Sequence, residues 1–179
     1  MTKAVGERSL SALLPGRAIR LRQPARDWRD AVRRVGEALT ASGAASPAYA
    51  DEMIATVEQL GPYIVIAPGI ALAHSRPSPA VHRTGLAWVT LARPVAFGHP
   101  ENDPVGLVVG LAAVDDSSHV EALATLADLL GDDERRAALL ASPDATVLRS
   151  IVAAYEARQA EGASSSGSTD RAAGPGRSP

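Results

Sequence analysis

Apolar residues recur at helical spacing early in the chain, where Asp27 stands as a cap ahead of Trp28, Val32, Val35 and Leu39 and Gly43 follows as a terminator. A second helix is expected from the cap and first-turn pair Ser46 and Pro47, through the stripe Ala50, Met53, Ile54 and Val57, to a stop at Gly61 and Pro62. The pattern then changes. Tyr63 to Ile66, Gly85 to Leu91 and Val105 to Ala112 are short apolar runs bounded by Pro, Gly and Asp, and they predict buried strands. Arg17 to Leu21 alternates polar with apolar and predicts a further strand, and Ile70 to Leu72 extends the sheet just before His74. Ser118 and Glu121 form a capping box after Asp115 and Asp116, with Val120, Leu123, Leu126, Ala127 and Leu130 as the buried stripe. Asp132 to Ala141 predicts a short helix. Ser142 and Pro143 open a last one, with Val147, Leu148, Ile151 and Tyr155 inward. Trp28 and Trp88 read as core aromatics. Because the central strands are apolar almost throughout, helices must cover both faces, which makes the fold class α/β with a mixed central sheet sandwiched between helices.

Composition bounds this picture. The chain of 179 residues fits one domain over residues 1–160, and from Ala160 onward Ser, Gly and Pro dominate, so residues 161–179 are expected to form a disordered tail. Lys and Arg total 18 against 20 for Asp and Glu, a net charge of −2 that gives no basic field for nucleic acid. No signal-peptide core is present, and no segment approaches the roughly 18 uninterrupted apolar residues of a membrane helix, so no membrane insertion is expected and the location expected is cytoplasmic.

The absence of cysteine excludes thiol catalysis and thiolate metal sites, and leaves histidine as the evident nucleophile. In the segment Gly61-Pro62-Tyr63-Ile64-Val65-Ile66-Ala67-Pro68-Gly69-Ile70-Ala71-Leu72-Ala73-His74-Ser75-Arg76-Pro77, a strand delivers His74 to a loop. On spacing alone an ordinary hydrogen-bonded or exposed histidine is the better reading and a working one the lesser, since only special partners make an imidazole functional. His119 falls in the first turn of a helix, beside free amides and the positive dipole end, a setting that favours an anion or serves simply as a tolerable first-turn position. His82 and His99 lie in loops without the spacing of a zinc site, and Asp115 and Asp116 serve the nearby helix start. The run from Asp132 to Arg136 reads as a solvated helix start. No Gly-x-x-x-x-Gly-Lys loop is present, so direct use of ATP is not expected, and neither a cofactor nor a metal is called for.

The segment around His74 resembles the phosphorylation-site segment of the mannitol/fructose-type enzyme IIA domains of the sugar phosphotransferase system, and is similar above all to the ascorbate type. The resemblance spans about residues 8 to 157 and includes Pro94-Val95, Phe97-Gly98, Asp103-Pro104-Val105 and the stretch His119 to Leu130. It implies that His74 is the phosphorylated histidine and His119 the second histidine of the active centre. It also implies a carrier that accepts phosphate from the histidine-containing phosphocarrier protein and passes it to a cysteine on enzyme IIB, for ascorbate or a related polyol. Two departures are visible: Ala73 stands where the pattern has proline, and the arginine of the preceding helix is missing near Val57 and Glu58, with Arg76 as a substitute cation. A regulatory enzyme IIA-like protein, whose phosphorylation state controls a target, and an inactive interaction module are the alternatives; retention of both histidines argues against the last.

Overall fold

The most apolar segments of the chain become the centre of a five-stranded sheet. The computed structural model describes residues 9–166. In chain order the elements are α1 (Leu10–Leu13), a 3-10 turn (Gly16–Ala18), β1 (Ile19–Gln23), α2 (Trp28–Ser42), α3 (Ala48–Leu60), β2 (Val65–Ala67), β3 (Ile70–His74), β4 (Gly85–Val95), β5 (Val105–Ala112), α4 (Asp116–Gly131), α5 (Asp133–Leu140) and α6 (Ala145–Ser166). The strand order is β1-β4-β5-β3-β2. β1 runs parallel to β4 and β3 parallel to β5, while β4/β5 and β2/β3 are antiparallel, so the sheet is mixed, as expected. Every residue from Leu107 to Ala112 is buried, which requires cover on both faces.

On one face α2 lies so close to β5 that a Cβ on Gly110 would fall 2.2 Å from Cγ1 of Val35. Glycine is therefore a packing requirement there. α3 packs on α2, and α1 and α6 pack together at the β1–β4 side of the sheet. Trp88 is buried in the core, whereas Trp28 is only partly covered and tilts against Phe97 with ring centroids 6.2 Å apart. Pro68 and Gly69 turn β2 into β3, with Gly69 at φ 74°, the left-handed value that position requires.

Several boundaries differ from the sequence pattern for local reasons. β1 starts two residues later than Arg17, because Gly16–Ala18 winds into the 3-10 turn. β2 is an edge strand on which Ile66 is 51% exposed, and Tyr63 precedes it. Pro47, rather than Ser46, occupies the cap of α3, with no side-chain cap bond. α4 begins before the Ser118/Glu121 box: Asp115 is the cap and accepts from Ser118 N, at 2.7 Å. That shift turns the inner stripe to Ala122, Leu126, Leu129 and Leu130 and leaves Val120 and Ala127 exposed. Asp144 caps α6 by accepting from Val147 N, so Leu148, Val152 and Tyr155 point inward and Val147 outward. Arg135 and Arg136 are more than a solvated helix start, since they donate to the carbonyls of Asp128, Leu129 and Leu130 and close the end of α4. α6 continues to Ser166, past the change of composition at Ala160; residues 167–179 of the expected tail lie outside the described residues.

Candidate functional site

Parallel neighbours end at the same edge of a sheet, and this brings the two histidines together. His74 is the last residue of β3 and stands in register with Leu111, near the end of β5. From that edge β5 passes into α4, whose first turn carries His119. The two imidazoles lie with centroids 5.1 Å apart, tilted by 50°. Tyr63 approaches His74 edge-on at 5.6 Å. Thr56, Leu60, Ser75, Arg76, Pro77 and Asp116 complete a cleft of about 230 Å³ around them.

Nδ1 of His74 lies 2.8 Å from the carbonyl oxygen of Leu72. A carbonyl can only accept, so Nδ1 carries the hydrogen and the lone pair is left on Nε2. Burial holds the His74 pKa below its usual 6.5; the Leu72 carbonyl opposes this in part and His119 adds to it. The neutral, nucleophilic ring therefore persists below pH 6.5. Around that pH the unfolded chain binds more protons than the folded one, so this group costs stability as pH falls through 6.5. An NMR titration of His74 is expected to show a midpoint under 6.5; a midpoint above it would contradict the burial argument.

His119 donates its backbone N–H to Asp115 O at 3.1 Å, and its Nδ1 is buried without a hydrogen-bond partner. The helix end that the sequence suggests as an anion seat is already held by the Asp115 carboxylate, which the N–H of Ser118 and the hydroxyl of Ser117 keep below the usual carboxylate range. The group of His119 that lies against the His74 ring is its imidazole. Arg76 is exposed at the cleft, with Asp116 as the opposite charge in the lining. Neither His82 nor His99 lines this cleft. His99 is a turn residue, its Nδ1 accepting from the amides of Glu101 and Asn102. Among the described residues no group of three or more His, Cys, Asp or Glu could hold a metal ion.

Sequence reasoning missed Tyr63, Thr56 and Leu60 at this site. Tyr63 carried a usable signal, because an aromatic directly after the Gly61-Pro62 helix stop is placed before the strand pairs and can turn toward its open end.

Known proteins resemble this chain in both fold and sequence. Residues 12–155 match the family model for the phosphoenolpyruvate-dependent sugar phosphotransferase system, EIIA 2. The chain therefore belongs to the type 2 enzyme IIA family, whose members are phosphotransferases of that system. The ascorbate-specific PTS system EIIA component of Escherichia coli (strain K12) is 40% identical over 124 residues, covering 69% of this chain and 80% of that protein. The mannitol-specific cryptic phosphotransferase enzyme IIA CmtB from Escherichia coli superposes with a TM-score of 0.71 at 30% identity, over 80% of this chain and 97% of that one. Enzyme IIAMTL from Escherichia coli, in its complex with phosphorylated enzyme IIBMTL, gives a TM-score of 0.69 at 25% identity, over 79% and 99%. Among the described residues no helix is long and apolar enough to cross a membrane.

Proposed function

We propose that this chain is a cytoplasmic phosphoryl carrier that takes phosphate on Nε2 of His74 from the histidine-containing phosphocarrier protein and passes it to a cysteine of enzyme IIB. The observation that carries this reading is the Nδ1 contact of His74 with Leu72 O, which leaves Nε2 as the free nucleophile in a cleft shared with His119. In uptake, the Nε2 lone pair forms the new N–P bond while the donor's P–N bond breaks and its electrons return to the donor's imidazole. In onward transfer the His74 N–P bond breaks as the cysteine thiolate of enzyme IIB takes the phosphoryl group, and Nε2 regains its lone pair. Nδ1–H stays on the Leu72 carbonyl throughout, where it stabilises the positive character that phosphorylation gives the ring. Transfer of this kind needs alignment and positive donors more than covalent help, and His119 and Arg76 supply donors at the phosphoryl oxygens. Leu60, in the cleft lining at 67% exposure, and Val120, next to His119 in the chain at 65%, give a protein partner apolar surface to cover.

His119→Ala is expected to fold normally and still accept phosphate, but to exchange it with enzyme IIB more slowly by about 1–3 kcal/mol, the value of a hydrogen bond to a charged group. Unchanged exchange in both directions would return His119 to a first-turn role.

The likeness to ascorbate-specific relatives supports ascorbate, or a related sugar or polyol, as the substrate of the permease served. The chain itself never meets that substrate; choice resides in the enzyme IIB that docks. Phosphorylated protein offered to purified enzyme IIB proteins of the ascorbate, mannitol and fructose types should pass its phosphate fastest to the ascorbate type. Preference for another partner would overturn the substrate assignment alone, and transfer to none would favour the regulatory reading.

A further inference from the structure

The β3–β5 ladder ends at the point where the site opens, and a side chain from a helix enters its last rung. Leu107 N–H donates to Gly69 O at 3.1 Å, and the register from Ile70/Leu107 to His74/Leu111 advances one residue for one. In a parallel ladder of this phase Leu107, Val109 and Leu111 bond β3 with both their peptide groups, so the rung after His74 is Ser75 N–H to Leu111 C=O. A side chain enters that rung. Ser75 N–H donates at 3.0 Å to the hydroxyl oxygen of Tyr49, and the same hydroxyl lies 2.9 Å from Leu111 O and 3.2 Å from Ser75 O. With its oxygen already accepting, the hydroxyl gives its hydrogen to the nearer carbonyl, and the direct rung becomes a relay from Ser75 N–H through Tyr49 O–H to Leu111 C=O. Tyr49 is 0% exposed on α3, and burial pushes its pKa up to about 12, so the hydroxyl keeps its hydrogen at physiological pH. A second tie from α3, between Ser75 Oγ and Thr56 Oγ1 at 3.0 Å, holds the same residue.

A hydroxyl inserted into a rung holds two strands further apart than a direct N–H···O bond does. Immediately beyond it, β3 leaves through Ser75 and Arg76 to form one lip of the cleft, and β5 turns into α4 with His119. We propose that Tyr49 is a positioning residue for phosphoryl transfer, its hydroxyl acting as a spacer rung that sets the separation of His74 and His119. The role rests on the carrier reading above, because it concerns the geometry of that transfer. It also accounts for how the segment after His74 is held although Ala73 brings no proline stiffness.

Tyr49→Phe keeps the ring and removes the spacer. Either Ser75 N–H and Leu111 O close directly, or both are left buried and unpaired; in each case the mouth of the site changes. The expected result is a fall in kcat for transfer to enzyme IIB on the order of 10- to 100-fold with KM little changed, as for a misplacement of reacting groups. The Ser75 amide and the His74 ring nitrogens should shift in 15N spectra. Tyr155→Phe removes the hydroxyl of another tyrosine whose side chain is packed in the core, away from the cleft lining, and should leave kcat and those resonances unchanged. Should Tyr49→Phe fail to fold, 3-fluorotyrosine at position 49 keeps the shape and alters only the hydroxyl's acidity; the Ser75 amide, the His74 nitrogens and kcat must then move together. Wild-type kcat with unmoved His74 resonances would overturn the proposal, as would an equal loss in Tyr155→Phe. Failure of the wild type to take up phosphate would instead refute the carrier reading, and the His74 and Ser75 resonances would still report on the spacer.

Discussion

A His74→Ala protein incubated with phosphoenolpyruvate and the general phosphotransferase proteins is expected to take up no phosphoryl group, while wild type and His119→Ala are both expected to become labelled. The loss is expected to be complete because no second nucleophile is equivalent. The chain has no cysteine, and His119 meets the cleft with its Nδ1 buried and without a partner. Only His74 combines a fixed tautomer, a free Nε2 and a burial-lowered pKa that keeps the ring neutral. The labelled bond should be acid-labile, as expected of a phosphoramidate. Equal labelling of His74→Ala, followed by acid-stable recovery from a hydroxyl residue, would remove His74 from the account.

Gly110→Ala is expected to have a large effect on stability for a single added methyl. The new Cβ would stand 2.2 Å from Val35 Cγ1, 3.3 Å from Ala87 Cβ and 3.4 Å from Leu39 Cδ1, in the centre of the α2–β5 contact, where neither helix nor strand can yield without moving the other. Overpacking of this kind costs about 3 kcal/mol, which for a domain of this size lowers Tm by roughly 6–12 °C. Pairing it with Val35→Ala makes room for the added methyl, so the double variant should be more stable than the sum of the two single losses by about 1 kcal/mol or more. Thermal melts of the three variants measure this. A Tm for Gly110→Ala indistinguishable from wild type would mean that α2 and β5 are further apart than described.

The elements that sequence pattern located well are those whose cause is local. Asp27 and Gly43 bracket α2, and Val105 to Ala112 was legible as β5 from continuous apolarity between turn residues. What the pattern misplaced depended on competition between caps: Ser118 and Glu121 make an acceptable box, but Asp115 three residues earlier caps α4 first and rotates the whole stripe, exposing Val120. The site was legible in part for the same reason. His74 and His119 stood out as residue types in a recognisable segment, whereas Tyr49 was hidden in the stripe of α3, one position from the Ala50 that periodicity selected. Its partners are backbone groups 26 and 62 residues away, which no local pattern can supply. Tyr63 was assigned to a buried strand because aromatic and β-branched neighbours favour one; the Gly61-Pro62 stop instead leaves it free to turn to His74.

The central claim, that phosphate resides on Nε2 of His74 with Nδ1–H held by Leu72 O, is tested most directly by NMR of the phosphorylated protein labelled with 15N. The account predicts a one-bond 31P–15N coupling to Nε2 of His74 and a protonated Nδ1 on the same ring. Coupling to Nδ1 of His74, or to either nitrogen of His119, would contradict it.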